Sequence, residues 1–195
     1  MRAPKANRLG ITIANAHLEG NTCKPLGAAI VDVWHADAEG QYSNVGTGLQ
    51  QTVTVGETFC RGHQVTDDNG TVEFETIVPG WEFVEVPGPP NVIRRTTHIH
   101  VKVFSDFKVT TTQLYLPDDY MDGLYAGVQP YAANRSMVAP RTGHRYERIS
   151  NAKDREFLSG NSRPMSIERT KDGILAKATI GLVTIGTRRL TTLFR

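Results

Sequence analysis

Apolar and polar residues alternate over residues 173–182 and again over 187–194, the period of a strand with one buried face. Four further segments, 26–33, 71–77, 97–104 and 110–116, are short, rich in Val, Ile, Thr and Phe, and bounded by Gly, Pro, Asn or Asp. These also read as strands. Asp68-Asn69-Gly70 lies between Val65 and Val72, and Asn-Gly supplies the positive φ angles of a two-residue turn, so a hairpin is expected there. A short helix is expected over 155–158. The stretches 84–94 and 118–150 are rich in Pro, Gly, Asp and Arg and read as long loops, the usual carriers of a site or an interface on a rigid scaffold. Many short strands separated by turn signals predict an all-β fold, an antiparallel β-sandwich with long loops. No repeat, low-complexity tract or linker divides the chain, so residues 1–195 are expected to form a single domain.

Composition narrows the function classes. The balance of 22 Lys+Arg against 20 Asp+Glu leaves a formal charge of +2, with no basic run to follow a phosphate backbone, which argues against nucleic acid as a partner. No stretch reaches the roughly 20 apolar residues of a membrane helix, so no membrane partner is expected. The first 15 residues lack the apolar block of a secretory leader. A cytoplasmic location is expected, with export open because a removed leader leaves no trace. Two cysteines, Cys23 and Cys60, do not make a disulfide framework; free thiols are the expectation, and one bridge is the alternative in an oxidising compartment.

The candidate chemistry begins at Thr97-His98-Ile99-His100-Val101. On a strand, positions i and i+2 share a face, so both imidazoles can reach one ion while Ile99 turns to the core. A lone His-x-His is a weak signal, and its surroundings carry the weight. Residues 23–43 read Cys-Lys-Pro-Leu-Gly-Ala-Ala-Ile-Val-Asp-Val-Trp-His-Ala-Asp-Ala-Glu-Gly-Gln-Tyr-Ser. Residues 61–67 read Arg-Gly-His-Gln-Val-Thr-Asp, followed by Gly70 and by Phe-Glu-Thr-Ile-Val-Pro-Gly-Trp at 74–81. After the histidine pair comes Thr-Gln-Leu-Tyr-Leu-Pro-Asp-Asp at 112–119, and Ala-Thr-Ile-Gly-Leu at 178–182 closes the series. In this order the blocks resemble the intradiol ring-cleavage dioxygenases over about half the chain.

That resemblance implies a sandwich of the prealbumin or transthyretin-like type. It also implies a non-haem Fe(III) ion held by two tyrosinates and two histidines, with a small aromatic diol and O2 as substrates. Oxygen is inserted between the two hydroxyl-bearing carbons, giving a muconate-type diacid. Tyr42 matches the first tyrosine, and His98 and His100 match the histidines. Arg95 matches an arginine that stabilises the electron-rich ring, and Gln113 matches a polar residue near the iron. Taken singly, these could be a strand-end tyrosine, a surface cation and a sheet hydrogen-bonder. Trp34 and His35 read as packing beside the metal strand. A homodimer is compatible with the family, and no sequence feature establishes one.

The pattern breaks at the second tyrosine. No tyrosine occurs from Glu82 to Thr97, and the family position falls on Glu82. Three readings follow. Glu82 is a ligand in a two-histidine, one-carboxylate set completed by Tyr42, an arrangement compatible with Fe(II) as well as Fe(III). Alternatively it is a base beside a three-ligand metal with an open water position. In the third it turns to solvent, residues 84–94 cover the site, and ring cleavage is lost or changed. Besides ring cleavage of a catechol or hydroxyquinol, the rivals are a different reaction on a specialised metabolite and a binding module without catalysis.

Overall fold

A computed structural model of the chain describes residues 7–17, 22–46, 50, 52–85, 92–105, 108–139, 142–171 and 173–184. Two sheets face each other across one core. The first is built on β1 (Asn7–His17), a strand that the sequence pattern did not single out. On one side β1 pairs with β13 (Ile174–Thr184), whose far edge carries β12 (Ser166–Arg169). Its other side is shared by β2 (Thr22–Pro25), opposite residues 14–17, and β5 (Thr71–Thr76), opposite residues 7–12. The second sheet runs in the order β4 (Arg61–Val65), β3 (Ile30–Trp34), β8 (His98–Ser105), β9 (Lys108–Tyr115).

The strands alternate as a sandwich requires. Leu9, Ile11 and Ile13 of β1 and Val72 and Phe74 of β5 join Val31 and Val33 of β3 and Ile99, Val101 and Val103 of β8 in one buried cluster. Each such side chain contributes about 1.5–3 kcal/mol by leaving water. The partners of this pattern on β8, His98, His100 and Lys102, stand on the opposite face. Hydrophobic period therefore decides which way the candidate ligands point. His35, just past β3, is buried and bonds the carbonyl of Ala36 through Nδ1 (2.7 Å) and Thr76 Oγ1 through Nε2 (2.8 Å). It ties the two sheets together, in keeping with a packing role.

Several expectations are corrected. The sandwich is largely antiparallel, but β1 and β13 run parallel, from Arg8 opposite Leu175 to His17 opposite Thr184. A parallel pair needs a long connection, and almost the whole chain separates these two strands. The Asp68-Asn69-Gly70 turn forms, with Asp67 Oδ1 accepting the N–H groups of Asn69 and Thr71 and Gly70 at φ +70°. It does not close a hairpin: β4 pairs with β3 and β5 with β1, so the turn carries the chain from one sheet to the other. A two-residue turn signal fixes a reversal and not the strand's partner. The strand expected over 26–33 begins at Ile30, because 26–29 form a turn with Ala28 at φ +59°.

The supposed loops hold structure as well. Of the 84–94 region, residues 84–85 and 92–94 belong to the antiparallel pair of β6 (Glu82–Glu85) and β7 (Val92–Arg95), and residues 86–91 lie outside the described residues. The 118–150 region contains helix α1 (Asp118–Gly127), a 3-10 turn (Tyr131–Asn134) and the hairpin of β10 (Ser136–Val138) and β11 (Arg145–Glu147). Beyond a second 3-10 turn (Asn151–Lys153), helix α2 (Arg155–Ser159) lies where a short helix was expected. The strand expected over 187–194 lies outside the described residues. Cys23 is exposed and Cys60 half-buried, both as free thiols. Among the described residues no helix is long and apolar enough to cross a membrane.

Candidate metal centre

The site lies on the outer face of the four-stranded sheet. One register row across it reads Arg61, Trp34, His100, Gln113 on β4, β3, β8 and β9. Neighbours in such a row stand side by side. The indole of Trp34 stacks on the His100 imidazole (centroids 4.8 Å apart, planes 4° apart), and the Arg61 guanidinium lies 5.6 Å from the indole centroid. The next row pairs His98 with Tyr115.

Two backbone approaches bring the other donors to this strand. Gly80 N–H donates to the Asp37 carbonyl (2.8 Å), and a Cβ on Gly80 would lie 2.7 Å from Gly40 N and 2.9 Å from Asp37 O. Gly40 itself has φ +83°, and a Cβ there would lie 2.2 Å from the Trp81 carbonyl. Only glycine fits either place. The loop bearing Tyr42 is thereby seated against the segment bearing Glu82. Trp81 is then clamped by α1 and the turn after it, its N–H donating to Tyr125 Oη (2.9 Å) and its Nε1–H to the Asn134 carbonyl (2.7 Å). Tyr42 is held from its backbone, donating N–H to Gln50 Oε1 (2.8 Å) and accepting at its carbonyl from Gln50 Nε2 and Thr54 Oγ1.

The result is a convergence on one nitrogen. His98 Nε2 has Tyr42 Oη at 3.3 Å, His100 Nε2 at 3.1 Å and Glu82 Oε1 at 3.5 Å. Its other ring nitrogen, Nδ1, meets the Thr96 carbonyl at 2.8 Å, which assigns the proton to Nδ1 and leaves the Nε2 lone pair facing the cluster. Burial keeps both imidazoles neutral: it pulls His98 down to about 4, and burial together with the neighbouring His98 and Arg95 pulls His100 down to about 3. Burial raises Glu82 to about 7 against the lowering pull of Arg95. Tyr42 is raised above its ordinary value, by burial first and then by the Glu82 carboxyl.

The three separations from His98 are of the size expected between ligands of one metal ion. Tetrahedral ligands with bonds of roughly 2.0–2.2 Å stand roughly 3.3–3.6 Å apart, close to the separations seen here. Two neutral imidazoles with a phenol and a carboxyl that can each become anionic form a donor set suited to a hard, highly charged cation. Among the described residues no cluster made only of His, Cys, Asp and Glu is arranged to hold an ion.

Arg95, the cross-strand partner of Glu82, donates from Nη2 to Gln113 Oε1 (2.6 Å) and from Nε to Asp154 Oδ2 (2.9 Å). Gln113 Oε1 also accepts from Tyr115 Oη (2.7 Å), while its Nε2 lies 3.4 Å from His100 Nδ1. The structure thus brings together all six residues singled out from the sequence: Tyr42, Glu82, Arg95, His98, His100 and Gln113. Glu82 does not turn to solvent; its side chain is 15% exposed. Asp154 was missed. Its position before a short helix signals an N-cap, but nothing local shows that it reaches Arg95, 59 residues away.

A family model described as a dioxygenase matches residues 7–145. The chain belongs to the intradiol ring-cleavage dioxygenases. Among relatives in this family, the catechol 1,2-dioxygenase of Acinetobacter baylyi is 34% identical over 116 residues, 53% of this chain and 36% of that protein. The chlorocatechol 1,2-dioxygenase of Rhodococcus opacus is 29% identical over 109 residues, 50% of this chain and 40% of that protein. The matches therefore span about 40% of the length of these curated relatives. The structure of an intradiol ring-cleavage dioxygenase from Tetranychus urticae superposes with a TM-score of 0.64 at 25% identity, covering 93% of this chain and 87% of that one. The intradiol dioxygenase match ends before Asp154, so the α2 segment lies beyond the part shared with the family model.

Proposed function

We propose that this chain is an iron-dependent dioxygenase that opens a catechol-type ring between its two hydroxyl-bearing carbons, with Tyr42, Glu82, His98 and His100 as the protein ligands. The observation that carries this reading is the meeting of three donor atoms within 3.1–3.5 Å of His98 Nε2. A ferric ion in such a set would supply Lewis acidity and an electron path between a bound diol and O2. The protein's own contributions follow from its geometry. His98 is held in the ligating tautomer by Thr96, and His100 is held flat by Trp34. Glu82 stands where the family pattern has its second tyrosine. Its carboxyl, 3.5 Å from His98 Nε2, is close enough to share an ion with the histidines. Arg95 offers positive charge to a ring that gains electron density as it is deprotonated.

The test combines composition with turnover. Protein purified under air should contain about one iron per chain, show a tyrosinate charge-transfer band in the visible, and consume O2 with catechol in a 1:1 ratio to a muconate-type product. Iron without oxygen uptake on catechols would point to another reaction in the same pocket. Protein free of iron that cannot be loaded with it would leave a binding module.

A further inference from the structure

Asp154 is wholly buried and is used twice. As the N-cap of α2 it accepts the N–H groups of Glu156 (2.9 Å) and Phe157 (3.0 Å) on Oδ1. Capping requires one oxygen, and Ser, Thr or Asn would serve as well. The second oxygen, Oδ2, faces away from the helix and accepts from Arg95 Nε (2.9 Å) and from the Thr96 backbone N–H (2.8 Å), while Oδ1 also lies 3.4 Å from Arg95 Nη2. An amide at this position would set a second donor against the first two, so only a carboxylate satisfies every group there. Gln113 holds the same edge of the guanidinium, from Oε1 to Nη2 (2.6 Å). The guanidinium bonds described above run from Nε and Nη2, and Arg95 stands directly opposite Glu82 in its strand pair.

We propose that Asp154 is a positioning residue of the centre: it clamps the Nε and Nη2 edge of Arg95 so that Nη1 is presented to an oxygen of the bound diol. This rests on the ring-cleavage reading for its consequence and not for its geometry. Thr96 links the clamp to the histidines. Its N–H is fixed by Asp154 and its carbonyl orients His98, so one buried carboxylate sets both the arginine and the backbone from which the metal strand begins. A charged group this deeply buried is costly unless fully bonded, and four of its five bonds are 3.0 Å or shorter.

The experiment uses Asp154→Ser, which keeps a capping oxygen but cannot reach Arg95, alongside Asp154→Asn, Arg95→Gln and their pairs. In metal-free wild type, a proton–nitrogen correlation spectrum should show one arginine Nε–H signal that exchanges slowly with solvent, disappears in Arg95→Lys, and loses its protection in Asp154→Ser. In iron-loaded protein, Asp154→Ser should retain iron and lower kcat/KM for catechol about 10- to 100-fold, the scale for losing a group that orients an active-site residue. The same change in the Arg95→Gln background should then cost nothing further. An Arg95 Nε–H that exchanges like those of exposed arginines, or losses that simply multiply in the double variant, overturns the clamp. Should wild type cleave no ring, the functional reading fails while the metal-free spectrum still decides the clamp. Should the Asp154 variants not fold, the wild-type signal decides it alone.

Discussion

Replacing Glu82 by Gln makes the clearest energetic test of the centre, because a buried carboxyl poised for a metal is a burden when the metal is absent. Burial lifts its pKa from an ordinary 4.5 to about 7, and its side chain is only 15% exposed, so solvent screens little of the cost. At about 1.4 kcal/mol per unit, the rise corresponds to roughly 3 kcal/mol. The sign follows from proton counts. Between pH 4.5 and 7 the folded carboxyl keeps its proton while the unfolded one releases it, so stability from this group is present at low pH and is lost as pH rises through 7. His98 and His100, held at about 4 and about 3, act in the opposite direction, losing stability as pH falls below 6.5. Comparing the variant with wild type at each pH cancels that contribution. In chelator-treated protein, urea denaturation should find Glu82→Gln and wild type within about 1 kcal/mol of each other at pH 5 and the variant roughly 2–3 kcal/mol more stable at pH 8. With iron bound the order should reverse, since the amide is a poorer ligand than the carboxylate. A variant no more stable than wild type at pH 8 in the absence of metal would refute a buried Glu82 carboxyl that holds its proton in the metal-free fold.

Other expectations can be checked with simple variants. His98→Ala and His100→Ala should each remove bound iron by metal analysis, and full occupancy in either would exclude that histidine as a ligand. Tyr42→Phe removes a single oxygen and should abolish the phenolate charge-transfer band without unfolding; an unchanged band would mean that another tyrosine, Tyr115 being nearest in kind, is bound. Glu82→Tyr restores the family's second phenol and should deepen the iron colour and raise cleavage of simple catechols. Gly80→Ala sets a Cβ within 2.9 Å of three backbone atoms of the Tyr42 loop. It should therefore lower stability by about 1–3 kcal/mol and weaken iron binding, as seen by thermal melting and metal titration. Normal behaviour in both would show that the Tyr42 and Glu82 segments need no close contact.

The sequence by itself determined the fold class, the strands around the two histidines and the family. Those features are written locally: a period of two places Ile99, Val101 and Val103 inside and His98 and His100 outside, and the glycines and prolines of the motifs mark where the backbone must turn or approach closely. Set beside the family pattern, it also pointed to Glu82 as the place of the second tyrosine. It did not determine what Glu82 does, because residue 82 reaches His98 only through β6, the Gly40–Gly80 contact and the clamp on Trp81. These are long-range packing events with no local code. The same holds for β1, whose neighbours come from both ends of the described chain, and for the turn at Gly70, whose residues specify a reversal but not which sheet receives the next strand. Asp154 is the sharpest case. Its helix-capping oxygen is legible from its neighbours, whereas the oxygen that holds Arg95 acquires a partner only when the sandwich closes, for a buried carboxylate takes its meaning from whatever donors the tertiary fold delivers to it.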